Sequence, residues 1–139
     1  MANPLYHHYL EAEVLNADPL KLVLMLYRGA IDAVAAARCH VVEGKIRERA
    51  DAITRAMEII NQLLFSLDHA AGGEISRNLG GLYAYMQLRL IEANSRQTEP
   101  PLAEVEKLLS TLLEGWYAAA ARPSTDAATA EHEPVSCTY

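Results

Sequence analysis

The sequence predicts an all-α protein: an antiparallel up-down four-helix bundle with an N-terminal arm (residues 1–18) and a disordered C-terminal tail (residues 122–139) flanking a bundle at residues 19–121. Three observations predict it. Apolar residues make up 51% of the 139, with seven Gly, one Phe and one Trp, and the excess of Leu, Ala, Ile and Val favours helix over strand. Apolar positions recur at three-four spacing in four successive segments. The breaks between those segments are short, as antiparallel neighbours require. No alternating strand pattern or internal repeat competes, and the length suits one domain with one core.

The first helix starts at Asp18-Pro19, where a carboxylate can cap free N–H groups and proline at the first helical position loses nothing. It runs to about Val42, with Gly44 as its stop. Leu20, Val23, Leu24, Tyr27, Ala30, Ile31 and Val34 form its core stripe, opposite Lys21, Arg28 and Asp32. The second helix, from about Lys45 to Leu67, carries Ile46, Ala50, Ile53, Met57, Ile60, Leu64 and Leu67. Ala52, Ala56, Ile59 and Leu63 widen that face, so this helix should touch neighbours on two sides. Residues 68–73 break the chain. The third helix, from about Glu74 to Asn94, places Ile75, Leu79, Leu82, Tyr83, Met86, Leu90 and Ala93 on one face. At roughly 100° per residue, Gly81, Ala84, Leu88 and Ile91 gather nearly opposite. Pro100-Pro101 opens the fourth helix, with Leu102, Val105, Leu108, Leu109, Leu112, Leu113 and Trp116 inward and Glu104, Lys107, Ser110 and Glu114 outward. Beyond about Ala121, periodicity is lost in a stretch rich in Ala, Thr, Ser, Pro and Glu.

Composition removes several function classes. A net charge of -6 with no Lys/Arg cluster gives no electrostatic drive toward nucleic acid. Residues 1–10 lack a secretory pattern, and the most apolar window, residues 20–37, is interrupted by Lys21, Arg28 and Asp32, so a cytoplasmic protein without membrane insertion is expected. Cys39 and Cys137 are too few for a disulfide framework, and Cys39 reads as a buried free thiol. No metal, cofactor or catalytic group is predicted. The core stripes lack the Glu-x-x-His pairs of a di-metal bundle. His7 and His8 are adjacent rather than four apart on a helix. Cys39 and His40 point about 100° apart with no orienting acid, and Gly72-Gly73 reads as a turn.

What remains is surplus apolar surface on the second and third helices, which suggests a groove for a helix. Three occupants fit it: residues 1–15 of the same chain, with Leu5, Tyr6, Tyr9, Leu10, Val14 and Leu15; a second copy in a homodimer; or a foreign partner.

Residues Tyr6-His7-His8-Tyr9, Glu13-Val14-Leu15-Asn16-Ala17-Asp18-Pro19 and Leu24-Met25-Leu26-Tyr27-Arg28-Gly29-Ala30-Ile31 resemble the opening of the flagellin export chaperone family, FliS. The resemblance continues through Ala56-Met57-Glu58-Ile59-Ile60, Ser66-Leu67-Asp68, Gly72-Gly73-Glu74-Ile75, Asn78-Leu79, Leu82-Tyr83-Ala84-Tyr85-Met86, Arg89-Leu90 and Glu92-Ala93-Asn94, and ends near Trp116. No single piece is specific, whereas the ordered set is. Asn16 stands where the family usually has Thr or Ser and keeps a capping side chain. Ala84 and Leu88 stand where more polar residues are expected.

The resemblance implies a cytosolic chaperone, without enzymatic activity, that binds the disordered C-terminal segment of flagellin, prevents premature polymerisation and delivers the subunit to the flagellar type III export apparatus. It also implies that the N-terminal arm is a movable cover, with Tyr6 and Tyr9 as its anchors, since an aromatic ring can pack while its hydroxyl stays wet. Ile53, Met57, Ile60, Leu64, Leu79, Leu82, Tyr83 and Met86 are the candidate groove, with Asn78 and Arg89 as candidate donors to a partner's backbone. The alternative is a helical dimerisation or regulatory bundle with no flagellin client.

Overall fold

The computed structural model describes residues 19–67 and 69–121, with the backbone alone at 69–71. Four helices follow in order: α1 (Pro19–Glu43), α2 (Ile46–Phe65), α3 (His69–Arg96) and α4 (Pro100–Ala121). Each packs against its neighbours in sequence, and α1 also packs against α4, which closes the square. Pairings across the seams set the directions. Arg28 meets Tyr117 and Arg38 meets Glu106, so α1 and α4 are antiparallel. Arg49 meets Asn94, and Gln87 donates to the Met57 carbonyl, so α2 and α3 are antiparallel too. The up-down bundle expected from the periodicity is the observed fold.

The core follows the helical stripes. Tyr27, Ala30, Ile31 and Val34 of α1 are buried, with Val23 and Leu24 packed at the edge. Ile53, Ala56, Ile60 and Leu63 of α2 meet Tyr83, Met86, Leu90 and Ala93 of α3 and Leu102, Val105, Leu109 and Leu113 of α4. Each of these large side chains contributes about 1.5–3 kcal/mol through removal from water. α1 buries more than its predicted stripe: Ala33, Ala35 and Ala37 are also covered, their small side chains letting neighbouring helices lie close. α2 touches α1 on one side and α3 on the other, as its wide face requires.

The helix ends have local causes. Gly44 adopts φ 71°, a left-handed conformation in which a Cβ is unfavourable, and ends α1 by returning Lys45 N–H to the His40 carbonyl (2.9 Å) and Gly44 N–H to that of Val41 (3.1 Å). Gln97, at φ 51°, ends α3 in the same way, with Thr98 N–H on the Ala93 carbonyl (3.2 Å). α4 starts where the Glu99 carbonyl accepts from Leu102 and Ala103 N–H.

Two expectations are corrected. The stretch 68–73, read as a break, already contains a helical turn from His69; the interruption is confined to Gly73 (φ 53°, ψ -124°), after which the helix resumes. One residue in a region open to glycine suffices to redirect the axis, so no longer loop is needed. Cys39 is buried as expected but is disulfide-bonded, not a free thiol. The second cysteine of the sequence, Cys137, lies outside the described residues. Residues 1–18 and 122–139, including Tyr6, Tyr9 and the Asp18 cap, also lie outside them.

Candidate functional site

The antiparallel order gives the bundle two unlike ends. One carries the α1–α2 and α3–α4 turns. The other carries Pro19, the end of α2, the Gly73 bend and Ala121, so residues 1–18 and 122–139 both join the bundle there.

At this second end the helices part around a cleft of about 320 Å³ lined by Val23 of α1, Ser66 and Leu67 after α2, Gly72, Ile75, Ser76, Leu79 and Tyr83 of α3, and Trp116 of α4. The bend builds it. A Cβ on Gly72 would lie 1.7 Å from Ser76 Oγ, so the turn before the bend sits against the buried Ser76 only because residue 72 has no side chain. Redirected at Gly73, the chain leaves Ile75 70% exposed at the rim, and Phe65, the last residue of α2 and the only phenylalanine, is 80% exposed at the same end.

Beneath the cleft lies an aromatic floor. The Tyr27 and Tyr83 hydroxyls share a hydrogen bond of 2.5 Å across the bundle diagonal, and the Tyr27 ring is tilted against those of Tyr83 and Trp116, each with centroids 6.3 Å away. Burial, joined by the bond to Tyr27, pushes the Tyr83 hydroxyl far above the ordinary tyrosine range. Burial likewise raises Tyr27, against the opposing effect of its hydrogen bonds to Tyr83 and Trp116. Both therefore stay neutral. The floor offers a dry, apolar surface. Such a cleft can bury apolar side chains of a partner. No helix among the described residues is long and apolar enough to cross a membrane.

The predicted groove residues do not share one surface. Leu79 lines the cleft, and Tyr83, 1% exposed and part of the core, lies at its floor. Ile53, Ile60 and Met86 are at most 1% exposed and fill the bundle interior. Met57, Leu64 and Leu82 are half-buried against the core. Asn78 is exposed, whereas Arg89 is engaged within the molecule, Nε on Glu104 (2.6 Å) and Nη1 on Glu92 (2.9 Å). The Tyr85 hydroxyl also donates to Glu104, and these two bonds, Tyr85 first, hold that carboxyl below the usual range. Val23, Leu67, Ile75 and Trp116 had been visible only as stripe members, and Phe65 and Ser76 not at all. The adjacent Gly72 and Gly73 were the one sequence signal of an opening at this end.

Fold and cleft together define a helical bundle with one open apolar end. The chain's residues 1–123 match the family model described as flagellar protein FliS. It is 41% identical over 107 residues to the flagellar secretion chaperone FliS of Salmonella typhimurium, covering 76% of this chain and 79% of that one. To the flagellar secretion chaperone FliSB of Pseudomonas aeruginosa it is 38% identical over 107 residues, covering 77% and 85%. To the FliS of Bacillus subtilis it is 32% identical over 114 residues, covering 82% and 84%. The chain belongs to the FliS family of flagellar proteins.

Proposed function

We propose that this protein is a cytoplasmic, non-enzymatic flagellar secretion chaperone that binds the disordered C-terminal segment of flagellin, keeps it from polymerising and helps hand it to the flagellar type III export apparatus. Family membership over the whole bundle supports the chaperone role. The observation that carries the binding mode is the apolar cleft at the end where residues 1–18 join. A disordered segment exchanges water for this surface, and each large apolar side chain that enters contributes about 1.5–3 kcal/mol before ordering costs are subtracted.

In this reading Leu79, Ile75 and Phe65 contact the client over the floor that Tyr83 forms, with Leu64, Met57 and Leu82 extending the surface along the seams. Ile53, Ile60 and Met86 support it from within. Tyr6 and Tyr9 hold the arm over the same end until the client displaces it, and the cost of releasing the arm offsets part of the client's gain.

The test is a pull-down of flagellin, intact or lacking its C-terminal segment, with the full-length chain. Retention of the intact form alone is expected. No retention of intact flagellin would leave the clientless dimerisation bundle as the better reading. Removal of residues 1–15 should change the affinity while the helical circular-dichroism signal is kept.

A further inference from the structure

Cys39 is buried on the outward side of its helix. It follows Lys21 by roughly five full turns of α1 and Asp32 by roughly two, so the three share the side that faces away from the core stripe. Lys21 and Asp32 are exposed there, whereas Cys39 is only 7% exposed and Ala35, one turn before it, 2%. Neither Ala35 nor Cys39 belongs to the hydrophobic cluster that the four helices share. Burial at that side therefore calls for a cover from beyond the four helices. Cys39 is also disulfide-bonded, and the sequence holds one further cysteine, Cys137.

We infer that Cys39 and Cys137 form a redox clasp, which fastens the C-terminal tail across the outer side of α1 when oxidised and releases it when reduced. The chain is long enough to close it. Arg28 meets Tyr117 and Arg38 meets Glu106, so Cys39 stands level with the region of Val105 in α4. From that level to Ala121, where the tail leaves the bundle, is about 24 Å along the helix axis. The stretch from Ala121 to Cys137 reaches about 53 Å when extended, roughly twice that path. It can therefore leave the open end, double back past Asp32 and Ala35, and still meet Cys39.

Closure is an exchange with a small disulfide of the glutathione class. The Cys137 thiolate attacks one sulfur of that disulfide, and one small thiolate leaves and takes up a proton. The Cys39 thiolate then attacks the Cys137 sulfur of the mixed disulfide and expels the second small thiol. In the net each cysteine loses one proton and one electron, and the small disulfide becomes two thiols. Two equivalents of small thiol reverse the reaction. In a reducing compartment the clasp is open, and it closes when the small-thiol pool is oxidised. The clasp uses neither the cleft nor its client, so its success or failure is separate from that of the flagellin pull-down.

The full chain, treated with oxidised glutathione and digested without reductant, should yield a peptide holding Cys39 joined to one holding Cys137, from a monomer. Brief exposure of the native chain to a glutamate-specific protease should cut after Glu131 about tenfold more slowly in the oxidised form than in the reduced one. Cys137→Ser and Cys39→Ser should each be cut at the fast rate with or without oxidant. In Cys137→Ser, Cys39 should react with a maleimide without denaturant, because its cover has lifted. Two thiols that survive oxidised glutathione overturn the proposal, as does a bond between two chains or equal cleavage of the oxidised and reduced forms. So does a Cys39 in Cys137→Ser that is labelled only after unfolding, the result if residues 1–18 or the helices themselves cover it.

Discussion

The two ends of the bundle are built by opposite means. At the end with the α1–α2 and α3–α4 turns, both ascending helices finish with a left-handed residue that turns the chain back, and Arg38 of α1 bridges Glu99 (2.5 Å) and Glu106 (2.9 Å) at the start of α4. Those carboxylates hold the Arg38 guanidinium above its ordinary range, Glu106 most, although burial opposes them. Arg49 is 6% exposed and bonds Asn94 across the α2–α3 seam (3.2 Å). At the other end, the helices part over an apolar cleft, α3 bends at Gly73, and Phe65 and Ile75 face solvent. The difference teaches that a bundle tied at one end can leave the other open, because burial along the shared core holds the helices together without closure at both.

The sharpest way to break that contrast is Leu102→Ala. Leu102 is fully buried at the tied end, and its loss should cost about 2–5 kcal/mol in urea unfolding. A cost as small as that of a surface site would mean the tied end is not packed as described.

Next comes Gly73→Ala at the open end. Nothing crowds a Cβ there, so the effect is purely conformational, and at φ 53°, ψ -124° it should destabilise by about 1–3 kcal/mol. A neutral result in thermal or urea unfolding would remove the bend.

The tyrosine pair under the cleft gives a pH effect. Tyr27 and Tyr83 hold their protons more tightly folded than unfolded, so the folded chain keeps protons that the unfolded chain releases. Their stabilising contribution is therefore complete below about pH 10 and declines as pH rises past that value. Urea midpoints between about pH 8 and 11 should fall for the parent chain and less for Tyr27→Phe with Tyr83→Phe. Equal falls would place the source elsewhere.

The smallest effect on stability is expected for Phe65→Ser, within about 0.5 kcal/mol because the ring is 80% exposed. The same change should lower retention of intact flagellin in the pull-down. Unchanged retention would take Phe65 out of the binding surface.

Much of this was legible in the chain. Pro19, Gly44 and Pro100-Pro101 mark ends by local backbone chemistry, and Tyr27, Ile53, Ile60, Leu90 and Leu109 recur at the helical period on the sides that prove to be core. The second stripe on α3 was also legible, because an apolar Leu88 and Ile91 opposite Leu90 and Met86 need no neighbour to be noticed. The candidate site was legible only in part. Periodicity identifies a face but carries no depth, so Ile53, Ile60 and Met86 could not be told apart from Leu79, although the former fill the interior and the latter is half-buried at the cleft.

The sequence by itself determined the helices, their order and their apolar sides, since each follows from interactions within a few residues. Only the tertiary structure decided which apolar sides are covered, that the bundle opens at the arm's end, and that Tyr27, Tyr83 and Trp116 meet beneath that opening. Those outcomes depend on residues brought together from separate helices, whose distances no local spacing records.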